Sequence, residues 1–173
     1  MTGTRFAPGL CGHKPGMTHL TERHFVRCPY GVAQRLLQAD LEPADGTLAW
    51  RLHVAPVFPH DLEVAKDVDV TVSQGVDPMH FDRPWNVTWV PHGGGPFPGF
   101  VGTLTVRADE DWNVAVLELD GTYDPPLGLV GEAFDLLLGA RLATTTAEAL
   151  LRDLGDRIVA KHAAEEAAKR AAP

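Results

Sequence analysis

Two hydrophobic periods divide the chain. In five runs between Trp50 and Tyr123 apolar side chains recur at about every second position, and beyond Pro125-Pro126 they recur at every third or fourth. Trp50, Leu52 and Val54 alternate with Arg51 and His53; Val64, Val68, Val70 and Val72 are interleaved with Glu63, Asp67, Asp69 and Thr71. Trp85, Val87 and Trp89 alternate with Asn86 and Thr88, and Phe100, Leu104 and Val106 with Val101, Thr103 and Thr105. The last run, Trp112 to Tyr123, sets Ala115, Leu117 and Leu119 against Glu118 and Asp120. Period two with one polar face predicts an antiparallel sheet that is solvated on one side. Asp109-Glu110-Asp111 reads as the turn of a hairpin between the final two strands.

Ahead of the meander, His19 to Arg27 alternates, with Phe25 and Val26 as β-formers, and suits a first strand. Pro29 opens a short helix carrying Val32, Leu36 and Leu37, which Pro43 stops, and Ala44-Asp45-Gly46 turns into the sheet. After the Pro-Pro pair, Val130, Ala133, Phe134, Leu137, Ala140, Ala147, Leu150, Leu151, Leu154 and Ile158 fall at helical spacing, with charged residues between them. A helix from Gly128 to about Ala163 would be on the order of 50 Å long. The sheet is the one apolar partner its stripe can bury against. The chain therefore reads as α+β, helix on sheet.

Composition narrows the picture. At 173 residues, 45% hydrophobic and 22% charged, the chain suits one globular domain. Its net charge of -8 and its scattered Lys and Arg exclude a nucleic-acid footprint. No stretch approaches the roughly 20 apolar residues of a membrane span. Met1 to Leu20 holds Pro8, His13, Lys14 and Pro15 where a signal peptide needs its apolar run, so a cytoplasmic location is expected. Cys11 and Cys28 fit it as thiols. Arg over Lys, with abundant Ala, Gly and Pro, is the mark of a GC-rich bacterial genome and says nothing of function.

Candidate chemistry is sparse. His92-Gly93-Gly94-Gly95 is like the oxyanion loop of some esterases, but that chemistry needs a Gly-x-Ser-x-Gly elbow, and the single serine, Ser73, has no such context. The segment Pro91 to Gly99 reads better as a loop between strands, open to use as a lid. Cys11, His13, His19, His24 and Cys28 lack the paired spacing of a zinc site, so no metal and no cofactor is expected. The strand candidates for proton transfer, His53, Asp67, Asp69, Glu118 and Asp120, fall mostly on the polar face. His53 is the one to watch, because a bulge would swap its face. Gly139 lies inside the long helix at a cost of about 1 kcal/mol relative to Ala. Trp50, Trp85 and Trp89 lie on apolar faces and fit either a ligand pocket or plain packing.

The order strand, short helix, meander, long terminal helix resembles the START-like (SRPBCC, polyketide cyclase/dehydrase) superfamily. The closest match is Tyr123-Asp124-Pro125-Pro126-Leu127-Gly128 followed by Gly131, Asp135, Leu137, Leu138 and Arg141, like that family's passage from last strand to terminal helix. The resemblance covers about residues 19 to 160. It implies a helix-grip fold: a curved antiparallel sheet of about six strands wrapped around a long C-terminal helix, leaving an apolar cavity for lipids, sterols, polyketides or other hydrophobic molecules. Members commonly carry two short helices after the first strand, whereas this sequence signals one. The expected division is a flexible arm over 1–18, the helix-grip domain over 19–163, and a solvated helix end or disordered tail over 164–173.

On that reading the lining comes from Trp50, Leu52, Val70, Trp85, Val87, Trp89, Leu104, Leu117, Phe134, Leu137 and Leu138, and no helix residue stands out for catalysis. Three functions remain open. The cavity binds a hydrophobic small molecule without chemistry; or it serves a cyclase, dehydratase or aromatase type of enzyme; or side chains fill it and the protein is an interaction module. The first two differ in whether titratable groups point inward, and the third in cavity volume, since a ligand site needs roughly 300 Å³ or more.

Overall fold

A computed structural model describes residues 17–42, 47–55, 65–75, 83–95, 97–124 and 132–172, with side chains from residue 138 onward in the last segment. Outside them lie most of the expected N-terminal arm with Cys11 and His13, the Ala44 to Gly46 turn, Val64, Pro96, and the Pro125 to Gly131 passage that carries much of the family resemblance.

The elements run β1 (Thr18–Val26), α1 (Tyr30–Leu41), β2 (Thr47–Val54), β3 (Lys66–Gln74), β4 (Trp85–Pro91), β5 (Gly99–Ala108), β6 (Ala115–Asp124) and α2 (Glu132–Ala171). The six strands form one antiparallel sheet in the order β1-β6-β5-β4-β3-β2. β2 to β6 are a meander, and β1 returns to pair with the last strand, so β1 and β2 are the two edges. Helix α2 touches both edge strands. The sheet is curved with α2 against it, and this α+β architecture is the helix grip.

Period two places alternate side chains on the concave face. Val68, Val70, Val72, Val87, Leu104, Leu117 and Leu119 are fully buried there. Helix α2 contributes Ala143, Ala147, Leu150, Leu151, Leu154 and Ile158, spaced three and four apart, none more than 2% exposed. Each large side chain so buried is worth about 1.5–3 kcal/mol, which makes this stripe the principal attachment of the helix. Helix α1 closes one end with Ala33, Leu36, Leu37 and Leu41. Ion pairs join it to α2: Arg35 grips Glu165 through two hydrogen bonds of 3.0 and 2.7 Å, and Lys161 reaches Asp40.

Helix α2 extends eight residues past the end expected near Ala163. From Ala163 to Ala171 its side chains are mostly exposed Ala, Glu, Lys and Arg. These are strong helix formers, which continue a nucleated helix without any stripe to bury.

Candidate functional site

The concave face is a lattice of matched rows. One row crosses five strands through Trp50, Val70, Trp89, Phe100 and Tyr123, each a register partner of the next. The next crosses all six through Leu48, Val72, Val87, Gly102, Gly121 and Leu20. A third runs from Gln74 through Trp85, Leu104 and Leu119 to Glu22. Among the expected lining residues, Val70, Trp85, Val87, Trp89, Leu104 and Leu117 are buried on this face, while Trp50, Leu52 and Leu138 are partly buried against the same core. Phe134 and Leu137 lie on α2 where side chains are not described.

The centre of the face is aromatic. Trp89 and Phe100 stack with ring centroids 4.1 Å apart and planes 10° from parallel. Phe100 can lie down on the sheet because the row beside it is glycine in both strands: a Cβ on Gly121 would stand 2.7 Å from Phe100 Cζ. Trp89 donates its indole N–H to the Pro98 carbonyl at 3.1 Å. Trp50 differs. Its Nε1 is buried and has no partner among the described residues, while the Arg157 guanidinium of α2 sits 5.6 Å from its ring centroid.

Two titratable residues outside the acid–base candidates expected from the sequence also belong to this face. Glu22 and His24 of β1 pair with Leu119 and Leu117, between inward Leu20 and inward Val26. The signal was present: Leu20, Glu22, His24 and Val26 share one period-two face. The His24 imidazole packs on α2 where Gly155 has no side chain, since a Cβ there would meet its Cδ2 at 2.7 Å and its Nε2 at 2.8 Å. Glu22 accepts a hydrogen bond from Thr144 of α2, and Glu148 lies nearby. Partial burial pushes the Glu22 carboxyl above its ordinary range; the Glu148 charge adds to the rise and the Thr144 hydroxyl opposes it.

The acid–base candidates on the strands lie on the opposite, convex face. His53, with a side chain 67% exposed, hydrogen-bonds Asp67 at 2.8 Å, and no bulge turns it inward. Asp69 meets His92 Nδ1 at 2.8 Å and Arg51 at 3.2 Å. These partners hold Asp67 and Asp69 below the ordinary carboxylate range, the hydrogen bonds from His53 and His92 being the main causes. Glu118 is clamped between Arg23 and Arg107, and Asp120 binds Thr21 and His19. His92 opens the glycine turn, which is fastened to β3 by the His92 N–H on the Asp67 carbonyl at 2.9 Å. Gly93, Gly94 and Gly95 all take positive φ, at 71°, 74° and 107°, so the glycines serve a tight turn after β4. Among the zinc candidates, His19 lies on the convex face, His24 on the concave one, and Cys28 is buried as a free thiol.

No protein-family model matches the chain, and no curated protein matches it in sequence. Solved structures do match. The protein TTHA0849 from Thermus thermophilus superposes with a TM-score of 0.51 at 14% identity, over 83% of this chain and 99% of that one. The chain has the START-like fold. The Zhui aromatase/cyclase from Streptomyces sp. R1128 also matches, with a TM-score of 0.46 at 14% identity over 84% of this chain and 93% of that one. Within this START-like fold the concave lattice under α2 is the candidate site, because aromatic surface and inward polar atoms meet there. No described helix is long and apolar enough to cross a membrane.

Proposed function

We propose that the protein binds a hydrophobic small molecule (a lipid, polyketide or aromatic compound) between the concave sheet and α2. The observation that supports this reading is the row Trp50, Val70, Trp89, Phe100, Tyr123, which gathers four aromatic side chains between sheet and α2, all but Trp50 covered by the rest of the protein. Flat aromatic walls with few polar atoms suit ligands that are themselves flat and mostly apolar. The binding unit on this reading is the domain over residues 19–163. Cytoplasmic residence goes with this reading and is supported by Cys28 as a free buried thiol.

A second reading is favoured by one observation. Glu22 and His24 face the helix side of the sheet, so two groups able to move protons stand at the edge of the same face. A cyclase, dehydratase or aromatase type of enzyme would orient a reactive substrate on the aromatic surface and use them as acid and base.

Native mass spectrometry of protein purified from its own host tests binding directly. The expected result is a bound species of a few hundred daltons, released on denaturation and identifiable in the organic extract. A protein that emerges at its bare mass, and that also leaves aromatic probes free in solution, would sink both readings.

A further inference from the structure

We infer that the Trp50 indole N–H is the hydrogen-bond donor to the ligand, so that the site takes a flat hydrophobic molecule carrying a carbonyl or equivalent acceptor oxygen. The inference rests on the binding reading above and adds the polar group the ligand must present. Trp50 Nε1 is buried without a partner among the described residues, whereas the indole N–H of Trp89, two positions along the same row, is satisfied by the Pro98 carbonyl. A buried donor left unpaired costs about 1–3 kcal/mol, and native proteins leave few of them. His162 Nδ1 is also buried and unpartnered, but an imidazole can move its proton to the other nitrogen and leave a bare lone pair. An indole has no such option.

The ring is also held in place. Arg157 lies 5.6 Å from its centroid and is itself tied to Asp153 at 2.7 Å and to Asp40 at 3.8 Å. Trp50 therefore keeps its N–H buried instead of turning it to water. A trapped water is a poor occupant, because it needs two to four polar partners. Apart from the Arg157 guanidinium, which can only donate, the concave-face neighbours of Trp50 among the described residues are Val70 opposite and Leu48 and Leu52 alongside, all apolar. An acceptor oxygen carried in on an otherwise apolar molecule meets both demands of the place.

The test uses two probes of matched shape, 2-acetylnaphthalene and 2-ethylnaphthalene, titrated against the full chain and its Trp50→Phe variant by calorimetry or fluorescence. The wild type should prefer the ketone by roughly two- to tenfold, the net worth of one hydrogen bond. In Trp50→Phe that ratio should collapse to about one. A wild type that binds both probes equally, or a preference that survives in the variant, overturns the inference and leaves the binding reading standing. A wild type that binds neither probe overturns the binding reading and the inference with it. Should the variant fail to fold, nitrogen-15 spectra of the wild type decide: the Trp50 indole N–H resonance should move downfield with the ketone and not with the hydrocarbon. Equal movement with both overturns the inference.

Discussion

Gly102 and Gly121 face each other across the β5–β6 ladder, and the edge of the Phe100 ring lies over both. Two β-carbons at this pair would fill the space that the ring occupies. A Cβ on Gly121 would come within 2.5 Å of Gly102 Cα, and one on Gly102 within 2.8 Å of Gly121 Cα. The obstacle is backbone as well as ring, so it cannot swing aside. Gly121→Ala should cost about 1–3 kcal/mol, the range for overpacking. At about 2–4 °C per kcal/mol for a chain of this size, thermal unfolding should fall by several degrees. A melting temperature within one degree of wild type would show that the sheet closes without this glycine pair.

The contact between Gly155 and His24 makes a prediction about coupling. In an exposed helix interior Gly→Ala gains up to about 1 kcal/mol. Here the new methyl meets the imidazole, and Val26 Cγ2 lies 3.2 Å away. Gly155→Ala alone should therefore be neutral or destabilising. In a His24→Ala background it should stabilise, by about 0.5–1 kcal/mol once the ring is gone. Additivity within about 0.3–0.5 kcal/mol in the double-mutant cycle, read from urea unfolding, would rule out the contact.

On the convex face, Glu118 accepts hydrogen bonds from Arg23 at 2.6 Å and Arg107 at 2.8 Å, and its side chain is 8% exposed against 62% and 57% for the arginines. A carboxylate this covered, with partners this solvated, stands between an exposed pair worth about 0–1 kcal/mol and a buried pair whose rupture costs about 3–5. Glu118→Gln should lose about 1–2 kcal/mol at low salt. In 1 M salt the Debye length falls to about 3 Å and part of that loss should vanish. A loss that is independent of salt would mean that Glu118 contributes through packing.

The concave face was largely legible because period two is a local property. Trp85, Val87 and Trp89 alternate with polar neighbours, and alternation alone sends all of them inward. The same rule turns Phe25 outward, at 62% exposure, although its hydrophobicity made it a marker of the first strand. Glu22 was not singled out, and His24 was weighed only as a zinc ligand, for the opposite reason. They are polar at inward positions, and only the docking of α2 on edge strand β1 explains their place. Gly102 and Gly121 lie nineteen positions apart, so their pairing is a matter of register that neither strand reveals alone. The orphan N–H of Trp50 is likewise tertiary, set by which carbonyls fall within reach.

Glu22 carries a pH dependence whose sign follows from its raised carboxyl. The folded protein holds the proton above the ordinary value of 4.5, because burial penalises the charge and Glu148 repels it. In the unfolded chain the same group titrates near 4.3. Between those two points the native state binds more protons, so stability falls as pH rises through the window and then levels off. Glu22→Gln should therefore stabilise the protein at pH 7 and make no difference below about pH 4. The gain should stay below about 1 kcal/mol, since the side chain is only partly withdrawn from water. Carbon-13 carboxyl titration should place Glu22 above 4.5 and Asp67 and Asp69 below 3.8, with His53 and His92 setting the latter pair. Replacing Glu148 with Gln should bring the Glu22 midpoint part of the way down and leave the two aspartates unmoved. A Glu22 midpoint at or below 4.5 in the wild type would show that β1 and α2 do not close over it.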